Sequence, residues 1–209
     1  QKEKKEILMN ITDTIVAATT NKGKIAEIKE IMECFGFHVI SRDGAGIPKD
    51  FVIEETGNTF EENSFIKAKT VMELTGLSSI ADDSGLCVDA LDGAPGVYSS
   101  RFSGDEGNDE ANNKKLIELM KDVEDEKRTA RFVSVITLIE PSGETISAKG
   151  YVEGKILRKS AGNNGFGYDP LFVPNGFDKS FGQLGFSVKN TLSHRAKALD
   201  SLRKILKEK

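Results

Sequence analysis

The sequence predicts an α/β fold, and three observations carry that expectation. Apolar runs of strand length alternate with stretches whose apolar residues recur every three or four positions. Glycine, proline, asparagine and aspartate punctuate the boundaries between them. The 209 residues, 38% of them hydrophobic, suffice for one large domain or two closely joined lobes with a real core.

In chain order, Thr14 to Ala18 reads as a buried strand. Ile25, Ile28, Ile31, Met32 and Phe35 then recur at helical spacing, and Gly36 marks the stop. Between them, Thr19-Thr20-Asn21-Lys22-Gly23-Lys24 is a linker where a strand hands over to a helix N-terminus. Free backbone N–H groups, ammonium groups and small polar side chains at such a place suit phosphate oxygens. It is not the Walker A pattern, and on these six residues alone a capped turn with exposed lysines is the simpler reading. Phe37 to Ile40 is a second strand, with His38 expected at an edge or on the surface.

A Gly- and Asp-rich loop leads to Glu54-Glu55-Thr56-Gly57-Asn58-Thr59 and a helix from Phe60 to about Leu74. Thr59 and Glu62 have capping-box spacing. Lys67 lies two helical turns after Phe60, near the inner face, either snorkelling at the rim or aimed at an anion. Leu77 to Ala81 is a strand that delivers Asp82-Asp83-Ser84-Gly85. Taken alone, this is a polar turn between two strands. Yet adjacent side chains on extended backbone point to opposite faces, so both carboxylates cannot enter one core. A bare carboxylate is too costly to bury, so at least one of them must meet water, a cation or a ligand.

Gly93 to Arg101 is a Gly/Pro-punctuated loop, and Asp109 to Met120 an amphipathic helix. Ala130 to Ile139 is the longest strand signal, turned by Pro141-Ser142-Gly143 into Thr145 to Ile156 as a hairpin. Gly162 to Pro170 surrounds Phe166 and Tyr168 with glycines; it suits stacking on a planar base, or core packing at a bend. Phe177 to Phe186 looks irregular, and a final helix runs from His194 to about Lys207 with Ser193 as N-cap. His194 and Arg195 then fall in a first turn, where the helix dipole disfavours cations. An anionic or nucleobase ligand would account for them; a surface pair would also do.

Composition narrows the function. A net charge of −4 and a pI near 5.4 argue against a general nucleic-acid binder. No apolar run approaches the roughly 20 residues of a membrane helix, and no signal-peptide core is evident. Cys34 and Cys87 are isolated, which speaks against a disulfide framework or zinc site and fits a reducing, cytoplasmic setting. Residues 1–12, a Lys/Glu run followed by Ile7-Leu8-Met9, are expected to be a disordered extension without assigned function. Basic groups (Lys24, Lys67, Lys189, Arg195), acids able to hold a divalent ion (Glu55, Asp82, Asp83) and an aromatic glycine loop together suit a nucleoside triphosphate with magnesium.

Six segments occur in order: Thr19-x-Asn21-x-x-Lys24, Glu54-Glu55-Thr56-Gly57, Ala81-Asp82-Asp83-Ser84-Gly85-Leu86, Gly93-Ala94-Pro95-Gly96-Val97-Tyr98-Ser99, Gly165-Phe166-Gly167-Tyr168-Asp169-Pro170 and Ser193-His194-Arg195. The series resembles the inosine triphosphate pyrophosphatase family, bacterial type, from about Thr14 to the C-terminal helix. The resemblance implies an elongated α/β structure over residues 13–209. Its mixed twisted sheet, flanked by helices, would split into two lobes with a nucleotide cleft between them. It implies hydrolysis of ITP, dITP and XTP to monophosphate and pyrophosphate by magnesium-assisted attack of water on the α-phosphorus.

By position, the resemblance implies that Asp83 is the general base and a Mg2+ ligand, with Asp82 and Glu55 supporting metal or water. Thr19, Thr20, Asn21, Lys22, Gly23 and Lys24 would bind triphosphate, assisted by Lys67 and Ser84. Phe166, Gly167, Tyr168, Asp169, Lys189, His194 and Arg195 would recognise the base, with Arg195 or a backbone N–H donating to a 6-oxo group. Homodimers are implied as usual; neither nucleic acid nor membrane is an expected partner. Two rivals remain at this point. One is a related pyrophosphatase for modified pyrimidine or 7-methylguanine nucleotides, and the other a nucleotide-binding module without hydrolysis.

Overall fold

The computed structural model describes residues 14–208, so the expected extension at 1–12 lies outside the described residues. Within them the elements are β1 (Thr14–Ala17), α1 (Lys22–Glu33), β2 (His38–Ser41), α2 (Phe60–Thr75), β3 (Ser78–Val88) and α3 (Asp109–Leu119). They continue with β4 (Thr129–Ile139), β5 (Thr145–Ile156), β6 (Phe172–Pro174), α4 (Phe186–Leu192) and α5 (His194–Glu208). The six strands form one sheet in the order β2-β1-β3-β4-β5-β6. β1 is parallel to both β2 and β3, whereas β5 and β6 are antiparallel. The sheet is therefore mixed and flanked by helices, the expected α/β class.

Two compact units make up the chain. The first comprises residues up to Asp83, Val135–Gly150 and those from Arg195 onward; the second comprises Ser84–Ser134 and Tyr151–His194. In the first unit, β1 alternates between two cores. Ile15 and Ala17 join α1 and α5 through Ile28, Met32, Leu199 and Leu202, while Val16 and Ala18 pack with Ala68 and Val71 of α2. That alternation is the two-residue period of a strand buried on both faces. β3 continues it, with Ile80 on the first face and Ala81 on the second. The second unit has its own core, built on Leu86, Leu116, Phe132, Phe172 and Phe181.

Four features depart from the sequence expectation. Asp82-Asp83-Ser84-Gly85 is not a turn: it lies inside β3, a continuous strand of 11 residues. Helix α1 begins at Lys22 rather than Ile25, because Asn21 is its N-cap and accepts from the Lys24 backbone N–H at 3.1 Å. Between the irregular Phe177–Phe186 stretch and α5 lies a short helix that the sequence did not indicate, α4, and Ser193 in extended conformation separates the two helices. Helix α2 opens on the Thr59 cap as expected, but the Glu62 carboxylate accepts from the Asn58 N–H, one residue earlier than a capping box requires. His38 is exposed on β2, the edge strand, as expected.

Candidate active site

β1 ends at Ala17, opposite Ile80, and the Ala18 N–H bonds the Ile80 carbonyl at 2.8 Å. Asp82 and Asp83 therefore project just past the carboxyl end of β1. There β1 and β3 are parallel neighbours whose connections leave in opposite directions, since β2 lies on the far side of β1. Open α/β sheets bind ligands at such switch points.

The strand period sends the two aspartates to opposite faces. Asp82 follows Ile80 toward α1 and α5, where Oδ2 lies 2.8 Å from Lys24 Nζ and 3.2 Å from Arg195 Nη2. Arg195 also pairs with Glu27 of α1. All three of Glu27, Asp82 and Arg195 are buried. Burial opposes the Arg195 charge, yet Asp82 and Glu27 hold its pKa above the ordinary arginine value. The cation in the first turn of α5 is thus answered by the protein's own acids. Arg195, expected to donate to a nucleobase, here pairs with Asp82 and Glu27. His194 is likewise buried, its ring stacked on Phe132 with centroids 4.8 Å apart and planes 11° from parallel.

Asp83 follows Ala81 toward α2. Its Oδ1 accepts from Lys67 Nζ at 2.7 Å, and Lys67 also lies 3.2 Å from Glu55 Oε1. Lys67 is buried, so the alternative of a snorkelling rim lysine falls away. Burial opposes its charge, but the Asp83 and Glu55 carboxylates hold its pKa above the ordinary lysine value. Burial also pushes the Asp83 carboxyl above the ordinary aspartate range, against the pull of Lys67 and Lys24. Asp83 Oδ2 is buried and has no hydrogen-bond partner among the described residues. Such an atom is costly unless something else completes it, which marks the position for a water, an ion or a ligand.

Among the described residues no group of three acids, histidines or cysteines could hold a metal ion. Of the expected trio, Glu55 and Asp83 both pair with Lys67, while Asp82 pairs with Lys24 and Arg195. Two carboxylates still fit an ion of the magnesium type, which takes most of its shell from water and phosphate oxygens.

At the start of α1, the Asn21 N–H donates to Thr19 Oγ1 at 3.2 Å. Thr20 and Lys22 are exposed, and a cavity of about 260 Å³ is lined by Thr19, Thr20, Lys22, Arg42 and Lys49 among others. Gly57 closes the Glu54–Gly57 segment against α2: its N–H donates to Asn63 Oδ1 at 2.8 Å, and a Cβ there would stand 2.6 Å from Glu62 Cβ. Sequence reading missed Glu27 and Asn63. Glu27 had a signal, an acid one turn after Lys24 beside the apolar Ile28, whereas Asn63 had none.

The second unit holds the aromatic set. Lys189 Nζ lies 2.7 Å from Asp169 Oδ2 and 4.3 Å from the Phe166 ring centroid. Asp169 also accepts from the Phe166 N–H at 2.9 Å. Gly165 has φ +78° and a Cβ there would meet Asp169 Oδ2 at 2.0 Å, so only glycine fits. Tyr168 is buried, with its hydroxyl donating to the Ser99 carbonyl at 2.8 Å. Ser84, half-buried in β3, belongs to this unit.

A family model described as the Ham1 family matches residues 15–205. The chain is similar to the dITP/XTP pyrophosphatase of Oceanobacillus iheyensis, 46% identical over 193 residues that cover 92% of this chain and 97% of the relative. It is also similar to the solved Ham1 protein of Staphylococcus aureus, with 42% identity, a TM-score of 0.81 and coverage of 93% and 98%. A solved dITP/XTP pyrophosphatase from Mycobacterium abscessus matches with 43% identity, a TM-score of 0.73 and coverage of 90% and 98%.

Proposed function

The chain belongs to the Ham1 family, and on that premise we propose that it hydrolyses non-standard purine nucleoside triphosphates (dITP, XTP and ITP) to the monophosphate and pyrophosphate. The observation that carries the reading is Asp83, with one carboxylate oxygen held by Lys67 and the other buried without a hydrogen-bond partner among the described residues. Lys67 fixes the orientation of the carboxylate, and Oδ2 is the oxygen that accepts a proton from the attacking water. Glu55 and Asp83 would hold the magnesium ion of this reading; each carboxylate oxygen has two lone pairs, so Asp83 can serve both roles. Bound there, the ion supplies neutralisation of phosphate charge in the in-line displacement.

Lys24 and the first N–H groups of α1 serve the triphosphate, aided by Thr19, Thr20, Lys22 and Ser84. Arg195 acts at one remove, keeping Asp82 and through it Lys24 in place. In the second unit Phe166 offers the base a stacking face, and Lys189 and Asp169 hold that ring and its backbone. The protein works on small-molecule substrates of the nucleotide pool, as a cytoplasmic homodimer in this reading.

A pyrophosphate-release screen over dITP, XTP, ITP, ATP, dUTP and 7-methyl-GTP, with and without magnesium, tests the proposal. Release from the first three only, and only with the ion, is expected. Equal or better turnover of dUTP or 7-methyl-GTP would overturn the substrate assignment, and full activity without a divalent ion would overturn the cofactor.

A further inference from the structure

Gly167 sits between Phe166 and Tyr168 with φ +62°, a conformation in which the backbone is permissive and needs external restraint to stay fixed. Two side chains one turn apart on α3 supply it. The Gly167 N–H donates to Asp109 Oδ2 at 2.7 Å, and Asn113 Nδ2 donates to the Gly167 carbonyl at 2.9 Å. Residues four apart on a helix share a face, so this spacing matches the two polar groups of one peptide residue. Asn113 Oδ1 is buried with no partner among the described residues. The contact to Gly167 therefore sets which way that amide points.

Helix α3 is itself a firm reference. Leu116 is fully buried, Asn112 bonds the Ser103 N–H at 2.7 Å and the Ser100 carbonyl at 3.1 Å, and Lys115 Nζ bonds the Phe102 carbonyl at 2.6 Å. Tyr168 is tied to Ser99 of that same segment. Asp109 lies in the first turn of α3, where a carboxylate is favoured by the helix dipole, so holding Gly167 there carries no electrostatic penalty.

We propose that Asp109 and Asn113 are positioning residues for nucleobase binding: by gripping both backbone polar groups of Gly167, they fix the Phe166 ring as the stacking platform. The inference rests on the reading of Phe166 as the base platform. Neither residue touches the phosphate or carboxylate chemistry, so their loss raises KM and leaves kcat in place. The two contacts restrain one peptide segment and act as a unit, so their losses are not additive.

The test uses the full chain and three measurements: kcat and KM for dITP and XTP, amide hydrogen exchange at Gly167, and the unfolding midpoint. Asp109→Ala and Asn113→Ala each raise KM about tenfold, on the order of what misplacing a binding group costs, with kcat within about twofold. The double variant is about as impaired as either single one. Gly167 exchange accelerates in Asp109→Ala, and Asp109→Asn, which keeps an acceptor oxygen, restores KM to within about twofold of the parent. Unchanged KM despite faster exchange at Gly167 overturns the proposal, as does unchanged exchange. A fall in kcat that tracks the unfolding midpoint, with KM unmoved, shows a merely structural role and also overturns it. If the unaltered protein releases no pyrophosphate from either nucleotide, the parent reading fails instead, and the exchange rates still decide whether the clasp exists.

Discussion

Replacing Asp83 with Asn keeps the side chain's shape and an acceptor for Lys67 but removes the charge and basicity of the carboxylate. Turnover in the pyrophosphate-release assay is expected to fall by about 10²–10⁴, the usual contribution of a positioned base, while nucleotide binding is largely kept. Binding lost together with turnover would remove the base role. Because burial raises the folded-state pKa of Asp83, the sign of its pH dependence is fixed. Going down in pH, the carboxyl becomes protonated before an ordinary aspartate would, so the acid limb of kcat/KM begins above the ordinary aspartate range. The corresponding stability contribution is present below the unfolded value and lost as pH rises through the folded one. Asp82 has a different duty. Removing it in Asp82→Ala takes from Lys24 and buried Arg195 the carboxylate they share, and leaves Arg195 its pair with Glu27. A stability loss of about 3–5 kcal/mol in urea unfolding is expected. A loss below about 1 kcal/mol would show that Asp82 is dispensable to the fold.

At the scale of elements, Gly57 is where segment and helix meet most closely. A Cβ there would stand 2.6 Å from Glu62 Cβ, 2.7 Å from Asn63 Oδ1 and 3.0 Å from the Asn63 backbone nitrogen. The first turn of α2 cannot yield without breaking the Thr59 cap, so Gly57→Ala displaces Glu54–Gly57 and Glu55 with it. The expected outcome is a stability loss of about 1–3 kcal/mol and weakened magnesium dependence of turnover, read by denaturant titration and an ion titration. Elements of this kind were legible in the sequence where a local rule acts. The long apolar run Ala130–Ile139 and the Pro141-Ser142-Gly143 turn located β4 and β5, and the cap at Thr59 located α2. The start of α1 was misplaced because the apolar stripe begins at Ile25 while the hydrogen bonds begin at the Asn21 cap. Taken alone, the Asp-Asp-Ser-Gly segment reads as a turn because its ion-pair partners, Lys24, Arg195 and Lys67, are distant in sequence. Polarity looks like exposure until such partners are known.

For the molecule as a whole, sequence identified five of the six described strands, missing β6 at Phe172–Pro174, and gave no strand order, since the placing of β1 between β2 and β3 is a long-range pairing that no local pattern records. The opposite facing of Asp82 and Asp83 did follow from the strand period alone. What could not follow was which helix each face meets, and hence that Glu55 and Asp83 are the acids that pair with Lys67. This has a thermodynamic consequence. Among the described residues no three-acid cage exists; in the proposed reading magnesium would therefore depend on phosphate oxygens to complete its shell, and the triphosphate on the ion to offset its charge. Each ligand should then strengthen the other, by reciprocal linkage. A non-hydrolysable dITP analogue at about 100 times its Kd in the presence of magnesium stabilises the native state by about 2.7 kcal/mol. For a chain of this size that raises Tm by about 5–10 °C. Magnesium alone or analogue alone should give well under half of that shift. A full shift with magnesium alone in a thermal-unfolding experiment would mean a complete protein cage for the ion, contrary to the arrangement of Glu55 and Asp83 with Asp82 turned away.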